Sequence, residues 1–257
     1  MTDWEPLRYE RFAAERRQPF DDLVALCHDV SGGTIYDLGC GAGSRTVDLP
    51  DALHAGHVAG IDTSASMLER SVSYDDPRLS FRQGDLRTFV PEHPADLILS
   101  NAALHCVSDH DQVLAAWRAH LSPGGQLAVQ IPVNFDHPTQ QLITATAADH
   151  LDWFDTDGPP GLISTNSLRP EQYSEILHQL GATEQTVMMR VYTHVLPRTL
   201  DVVEWLQGTT LRPYRAVLSS ADYDTFVSDF SSRLIDHYGE VTNFLYTFKR
   251  ILFWARF

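Results

Sequence analysis

The stretch that most constrains this chain is Thr34 to Gly43. There a short apolar run, Thr34-Ile35-Tyr36-Asp37-Leu38, breaks into the alternating glycines Gly39, Gly41 and Gly43. Such a run with such an ending reads as a strand entering a tight turn. Glycine lacks a Cβ, so the backbone can take φ > 0 and a ligand can lie against main-chain N–H groups. A helical pattern opening at Ser44 would complete a strand, loop, helix unit, the first half-turn of a nucleotide-binding α/β sheet. On the loop alone, an ordinary glycine-rich strand-to-helix turn stays open as the alternative.

The rest of the chain supplies the alternation that such a sheet needs. His57 to Asp62 reads as a second strand ending in an acid, Leu79 to Gln83 as a third running into Gly84-Asp85-Leu86, and Ala95 to Ser100 as a fourth ending at Asn101. Pro123-Gly124-Gly125 signals a turn before a fifth strand, Gln126 to Ile131. Helical patterns cover 44–51, 64–73 with Ser64 as N-cap, 109–121, 138–151 and 170–180, the last between Arg169-Pro170 and Gly181. Val187 to Leu196 and Tyr246 to Phe257 read as two further strands, with helical periodicity from 199 to 240 between them. The expected fold is α/β: a Rossmann-like, mainly parallel seven-stranded sheet with right-handed crossovers and a helical cap insertion. Residues 1–30 would form an N-terminal arm and helix, the helix drawn from the spacing of Phe20, Leu23, Val24, Leu26, Cys27 and Val30. Residues 31–198 with 241–257 would form the sheet domain, and 199–240 the cap. Ligands of such sheets gather at the carboxyl ends of the strands, where Gly39 to Gly43, Asp62, Asp85 and Asn101 all fall.

Composition narrows the partners. With 19 Lys and Arg against 34 Asp and Glu, the net charge of −15 argues against nucleic-acid or anionic-membrane surfaces. Lys249 is the one lysine, so local arginines would have to grip an anionic ligand. Three widely spaced cysteines, Cys27, Cys40 and Cys106, suggest neither a disulfide framework nor a zinc site. Without a signal pattern at Met1 or an apolar run of membrane-spanning length, a soluble cytoplasmic protein is the expectation.

Two cofactor classes suit a glycine loop followed by an acid on the second strand. A dinucleotide fingerprint would place a third glycine at position 44, which is Ser44. The acids Asp37, Asp62 and Asp85 around the loop suit S-adenosylmethionine (SAM) instead, a compact ligand with an ammonium and a sulfonium and no pyrophosphate. An NAD-dependent oxidoreductase stays open as a rival that lacks a Tyr-x-x-x-Lys pair, and a non-catalytic SAM-binding module as another.

Through Asp37-Leu38-Gly39-Cys40-Gly41-Ala42-Gly43, Asp62, Asp85-Leu86 and Leu121-Ser122-Pro123-Gly124-Gly125, the chain resembles the class I SAM-dependent methyltransferases. Trp4-x-Pro6-x-x-Tyr9-x-x-Phe12-x-x-x-Arg16, Asn101-Ala102 and Thr209-Thr210-Leu211-Arg212-Pro213-Tyr214 are similar to the trans-aconitate methyltransferase family over almost the whole chain. The resemblance implies that Asp37 and the Gly39, Cys40, Gly41 and Gly43 backbone hold the methionine part of SAM. Asp62, with Thr63 beside it, would meet the ribose, and Met67 would cover an adenine face, although core packing explains a methionine there too. Asp85 and the Leu86 N–H would read the adenine edge, and Asn101 would close the set.

The implied reaction is methyl transfer to an oxygen of a small carboxylated metabolite. A carboxylate is ionised at neutral pH and needs no general base, so no catalytic residue and no metal are expected, only proximity and orientation. Arg212 and Arg16 are the candidate substrate cations, with Tyr214, Tyr9 and His105 as candidate hydrogen-bonding partners. The chain departs from the family at His105-Cys106, where Gln-Trp is usual, and at Gln140, where His is usual. Both positions border the expected acceptor pocket. Oligomeric state is left open.

Overall fold

The computed structural model describes residues 13–155, 158–160 and 166–257, and at 13–16 and 72 the backbone alone. Two compact units emerge: one from Arg17–Pro132, Asn166–Arg190 and Arg250–Phe257, the other with its described part in residues 13–16 and inside Val133–Thr165 and Val191–Lys249.

The first unit carries the glycine loop. Its strands are β1 (Thr34–Leu38), β2 (His57–Asp62), β3 (Leu79–Gln83), β4 (Ala95–Asn101) and β5 (Leu121–Pro132), with parts of β6 (Glu184–Arg198) and β7 (Thr242–Arg256). The sheet is seven-stranded in the order β3-β2-β1-β4-β5-β7-β6. Strands β1 to β5 pair in parallel, whereas β7 runs antiparallel to β5 with Val129 opposite Phe253. The apolar runs explain themselves: Ile35, Leu38, Leu97, Ile98, Leu99, Leu127, Ala128 and Val129 are all fully buried, as parallel strands covered on both faces require. Around the sheet lie α1 (Ala13–Val24), α2 (Leu49–Ala52), α3 (Ala65–Leu68), α4 (His110–Ala119) and α6 (Pro170–Gln179), α5 (Pro138–Ala148) belonging to the other unit. Helix α4 buries Val113, Leu114 and Trp117, and the Trp117 indole N–H donates to the Leu86 carbonyl at 2.8 Å, fixing the loop after β3.

Several expected elements differ in detail. The helix expected over 44–51 is a 3-10 turn, Thr46–Asp48, followed by the short α2, because Pro50 fits only the first turn of a helix. Over 64–73, α3 stops at Leu68 and a 3-10 turn follows, with the Ser71 and Ser73 hydroxyls bonded back to the Leu68 and Arg70 carbonyls. The first helix lies earlier than the apolar spacing of 20–30 suggested: it ends at Val24, and the Val30 N–H bonds to Leu53 O. Strand β5 starts at Leu121, before the expected turn, so Pro123-Gly124-Gly125 forms an irregularity between the pairings Ala95–Leu121 and Leu97–Gln126.

The second unit holds α5, α7 (Asp201–Gln207), α8 (Arg212–Val217), α9 (Ser220–Tyr238) and the adjoining parts of β6 and β7. Its boundary is wider than the 199–240 insertion expected from periodicity. The reason is a shared core: Ile143 and Ala147 of α5, Leu196 of β6 and Tyr246 of β7 are buried with Trp205, Phe226 and Phe230. No helix among the described residues is long and apolar enough to cross a membrane.

Phe226 is fully buried and stacks on Tyr214 with ring centroids 4.9 Å apart. Phe226→Ala should cost about 3–5 kcal/mol, read as a lowered thermal or urea midpoint of this unit. A cost below about 1 kcal/mol would show that the ring is not a core element.

Candidate functional site

Strand β1 delivers Asp37 to the sheet edge almost entirely buried, and the Thr46 hydroxyl donates to its carboxylate at 2.7 Å. Burial, followed by the negative charge of Asp62, pushes the Asp37 pKa up to about 6, against the opposing pull of the Thr46 hydrogen bond. Strand β2 delivers Asp62, whose two oxygens accept the N–H groups of Gly41 at 2.8 Å and Ser64 at 2.9 Å. The Ile61 carbonyl accepts from Gly39 at 2.7 Å and Cys40 at 3.1 Å. The end of β2 thus pins the glycine loop from beneath.

Two glycines have distinct physical reasons. Gly39 has φ +82°, and a Cβ there would lie 2.1 Å from the Ala103 Cβ, so only glycine allows β1 to pass under the segment after β4. Gly41 has φ +59°, yet a Cβ added there would meet nothing within 4 Å. At Gly41 the loop therefore presents bare backbone to open space, which suits a ligand lying on its N–H groups. Cys40 is half-buried and its thiol pKa is raised, by burial and then by Asp37 and Asp62, so it is no nucleophile.

The adenine-side candidates fall into place around α3 and the loop after β3. Ser64 caps α3, accepting the Met67 N–H at 3.3 Å, and Met67 is half-buried; Thr63 is exposed, its carbonyl accepting from Gln83 at 2.8 Å. Asp85 has a partner that the sequence reading missed. The Arg87 guanidinium grips its carboxylate at 2.5–3.1 Å and the Arg87 N–H adds a bond at 2.9 Å, holding its pKa below the usual carboxylate range. A ligand amine would share Asp85 with Arg87.

On the other side, β4 ends at Asn101, and Ala102 follows with φ +55°, an uncommon conformation for a residue with a Cβ. It turns the chain into a 3-10 segment, Leu104–Cys106, carrying His105 at 7% exposure. Burial, then the charges of Arg250 and His110, drive the His105 pKa down to about 4, so the imidazole is neutral at pH 7. Asn101 Oδ1, His105 Nδ1 and Gln130 Nε2 are buried with no hydrogen-bond partner among the described residues.

The remaining candidates lie in the second unit or outside the description. Arg212 is exposed at the start of α8. Tyr214, expected as a hydroxyl donor to substrate, is buried and instead donates to the Pro160 carbonyl at 3.1 Å, which gives it a packing and tethering role. Gln140 is buried too, and its amide donates to the Thr210 hydroxyl at 3.3 Å, bracing the segment ahead of Arg212. Tyr9 lies outside the described residues, as does the side chain of Arg16. Sequence reading passed over Thr46, Arg87, Gln130 and Arg250. Only Gln130 left a clear signal, as a polar residue inside the apolar strand Leu127 to Ile131. No cluster of His, Cys, Asp and Glu that could hold a metal is present among the described residues.

Geometry and donor set fit SAM: buried Asp37 for an ammonium, fixed Asp62 for paired hydroxyls, and an open backbone between them. The comparisons with known proteins agree with this assignment. A family model described as a methyltransferase domain matches residues 35–125. Among solved structures, the YcgJ protein of Bacillus subtilis superposes with a TM-score of 0.60 at 12% identity, over 93% of this chain and 98% of that one. A phosphoethanolamine N-methyltransferase of Haemonchus contortus, solved with S-adenosyl-L-methionine, gives 0.57 at 17% identity, over 93% of this chain and 52% of that one. At such identities these two establish likeness of fold. Proteins named trans-aconitate 2-methyltransferase are much nearer in sequence. That of Deinococcus radiodurans is 38% identical over 98% of this chain and 97% of its own, and that of Streptomyces coelicolor 36% identical over 98% and 86%. At this level of identity along nearly its whole length, the chain belongs to the trans-aconitate 2-methyltransferase family of SAM-dependent methyltransferases.

Proposed function

We propose that this protein esterifies one carboxylate of trans-aconitate, or of a closely similar small polycarboxylate, with the methyl group of SAM. The observation that carries the reading is the near full-length identity to relatives of that name, which takes in the second unit as well as the cofactor loop. A diffusible small acid in the cytoplasm, with neither nucleic acid nor membrane as partner, completes the reading and accords with the net charge of −15.

SAM, when bound, supplies an activated methyl group on a sulfonium. The chain's own residues do the rest. Asp37 would hold the amino group, Asp62 the ribose hydroxyls through the lone pairs its two backbone bonds leave, and Asp85 with Leu86 the adenine edge, beside Met67. Asn101, Thr63 and the backbone of Gly39, Cys40, Gly41 and Gly43 would border the same ligand. An acceptor carboxylate is already ionised, so no residue has to remove a proton. His105, neutral at working pH, can orient the acceptor by a hydrogen bond without drawing its charge. Arg212 would add a cation on the acceptor side, with Arg16 and Tyr9 as further candidates. What accelerates the reaction is alignment of nucleophile and methyl group with water excluded, a contribution of several kcal/mol.

The direct test is mass spectrometry of trans-aconitate after incubation with enzyme and SAM, where a monomethyl ester is expected. Tight SAM binding with no ester formed from trans-aconitate or from a panel of small di- and tricarboxylates would sink the proposal.

Asp37 should separate stability from binding. Its folded pKa of about 6 lies above the ordinary 3.8, so the native state takes up the proton more readily and stability falls as pH rises through this window. The loss is on the order of 3 kcal/mol by pH 7. Asp37→Asn, which can still accept from Thr46, should therefore melt higher than wild type without ligand at pH 7 and about the same at pH 3, while binding SAM at least about tenfold more weakly. A variant that binds SAM normally would remove Asp37 from the site.

The loop glycines give a paired expectation. Gly39→Ala should destabilise the fold through its clash with Ala103, by about 2 kcal/mol or more. Gly41→Ala should stay folded, with a strain of about 1–2 kcal/mol, yet lose SAM affinity because the added methyl group fills the ligand's place. Calorimetry and thermal melts read both effects, and Gly41→Ala with unchanged affinity would show that the ligand lies elsewhere.

A further inference from the structure

A second set of polar groups, Gln130, Arg250 and His105, lies in the same unit as the cofactor loop and is given no role with SAM above. The strand registers place it. Asp37 lies opposite Leu99, Asn101 opposite Gln130, and Gln130 opposite Leu252 of β7, with Arg250 two residues further along, opposite Pro132. Since alternate residues of a strand share a face, Asp37, Asn101, Gln130 and Arg250 stand in a row across one face at the carboxyl edge of the sheet. The Arg250 guanidinium donates to Gln130 Oε1 at 3.1 Å.

That bond orients everything behind it. A guanidinium only donates, so the Gln130 oxygen must face Arg250 and its NH2 must turn away. Gln130 is 0% exposed, and its Nε2 has no partner among the described residues, a costly state for a buried donor. Nδ1 of the neutral His105 is likewise buried without a partner among the described residues, and the 3-10 segment that carries it packs against β5, the strand of Gln130. Asn101, whose amide can turn to present either end, lies in register beside Gln130. One cation in a fork geometry, a buried amide donor and a neutral imidazole are the donor set that receives a carboxylate.

Resting on the methyl-acceptor reading above, we infer that Arg250, Gln130 and His105 form the subsite for a carboxylate of the acceptor that is not methylated. A carboxylate whose lone pairs are taken by a guanidinium is a poor nucleophile, so Arg250 serves to fix the substrate through a remote group and leaves the reacting oxygen outside its grip. Arg250 is thus a specificity-determining residue whose loss should raise KM for polycarboxylates much more than it lowers kcat.

The test compares wild type, Arg250→Met and Arg250→Lys by SAM calorimetry and by steady-state kinetics on trans-aconitate. Expected for Arg250→Met are SAM affinity within about twofold of wild type and a KM raised about tenfold or more, with Arg250→Lys, which keeps the charge and loses the fork, in between. A folded, SAM-binding Arg250→Met with KM within about twofold of wild type overturns the subsite. If Arg250→Met does not fold, Arg250→Lys decides by the same criterion, a KM unchanged from wild type being the overturning result. If wild type makes no ester at all, the function reading fails separately. The subsite is then judged by calorimetry of trans-aconitate on protein loaded with S-adenosylhomocysteine: binding weakened in Arg250→Lys supports it, and equal binding or none overturns it.

Discussion

The carboxylate of Asp62 is the tie on which the site depends. One oxygen accepts from Gly41 in the loop after β1, and the other from Ser64 at the start of α3. Two connections that leave neighbouring strands are thereby held to one group, while the Ile61 carbonyl beneath takes the first two N–H groups of the loop. A backbone rich in glycine has much conformational entropy to lose, and charge-assisted hydrogen bonds to a fixed carboxylate are what offset it. Because each carboxylate oxygen can accept more than once, the tie and a ligand's hydroxyls do not compete.

Asp37 is the opposite kind of group, present at the fold's expense. Its burial and its closeness to Asp62 disfavour the ionised form, and one hydroxyl from Thr46 does not make up the difference. Two acids held near one another with a single hydrogen bond on the buried one form a site that gains from a cation. The same electrostatics that cost the ligand-free protein stability give preference to a ligand carrying an ammonium over one carrying a pyrophosphate. The absent glycine at position 44 and the acid at position 37 are thus two readings of one selectivity.

Much of this was legible in the sequence because period and punctuation are local. The strands from Thr34, His57, Leu79 and Ala95 could be read from apolar runs that end in Gly, Asp or Asn, and Ser64 announced its cap. What could not be read were consequences of pairing between distant segments. Arg87 takes the Asp85 carboxylate through a two-residue turn that has no signature in spacing. Tyr214 looked like a free hydroxyl until the Phe226 stack and the Pro160 carbonyl claimed its ring and its proton. The wider second unit was hidden for a similar reason: α5 follows β5 as a sheet-covering helix would, and only the buried company of Ile143 and Ala147 shows which core it serves.

The acceptor side obeys a different economy from the cofactor side. SAM brings positive charge to acids; the polycarboxylate of the proposed function would have to bring negative charge into a chain of net charge −15 with a single lysine. Long-range attraction is therefore lacking, and recognition has to come from short-range, directional contacts that solvent screens least. Arginine forks and buried amide donors would supply such contacts, and they serve catalysis best on carboxylates that do not react. Binding strength then belongs with the carboxylates that do not react, and reactivity with the one that is left least stabilised.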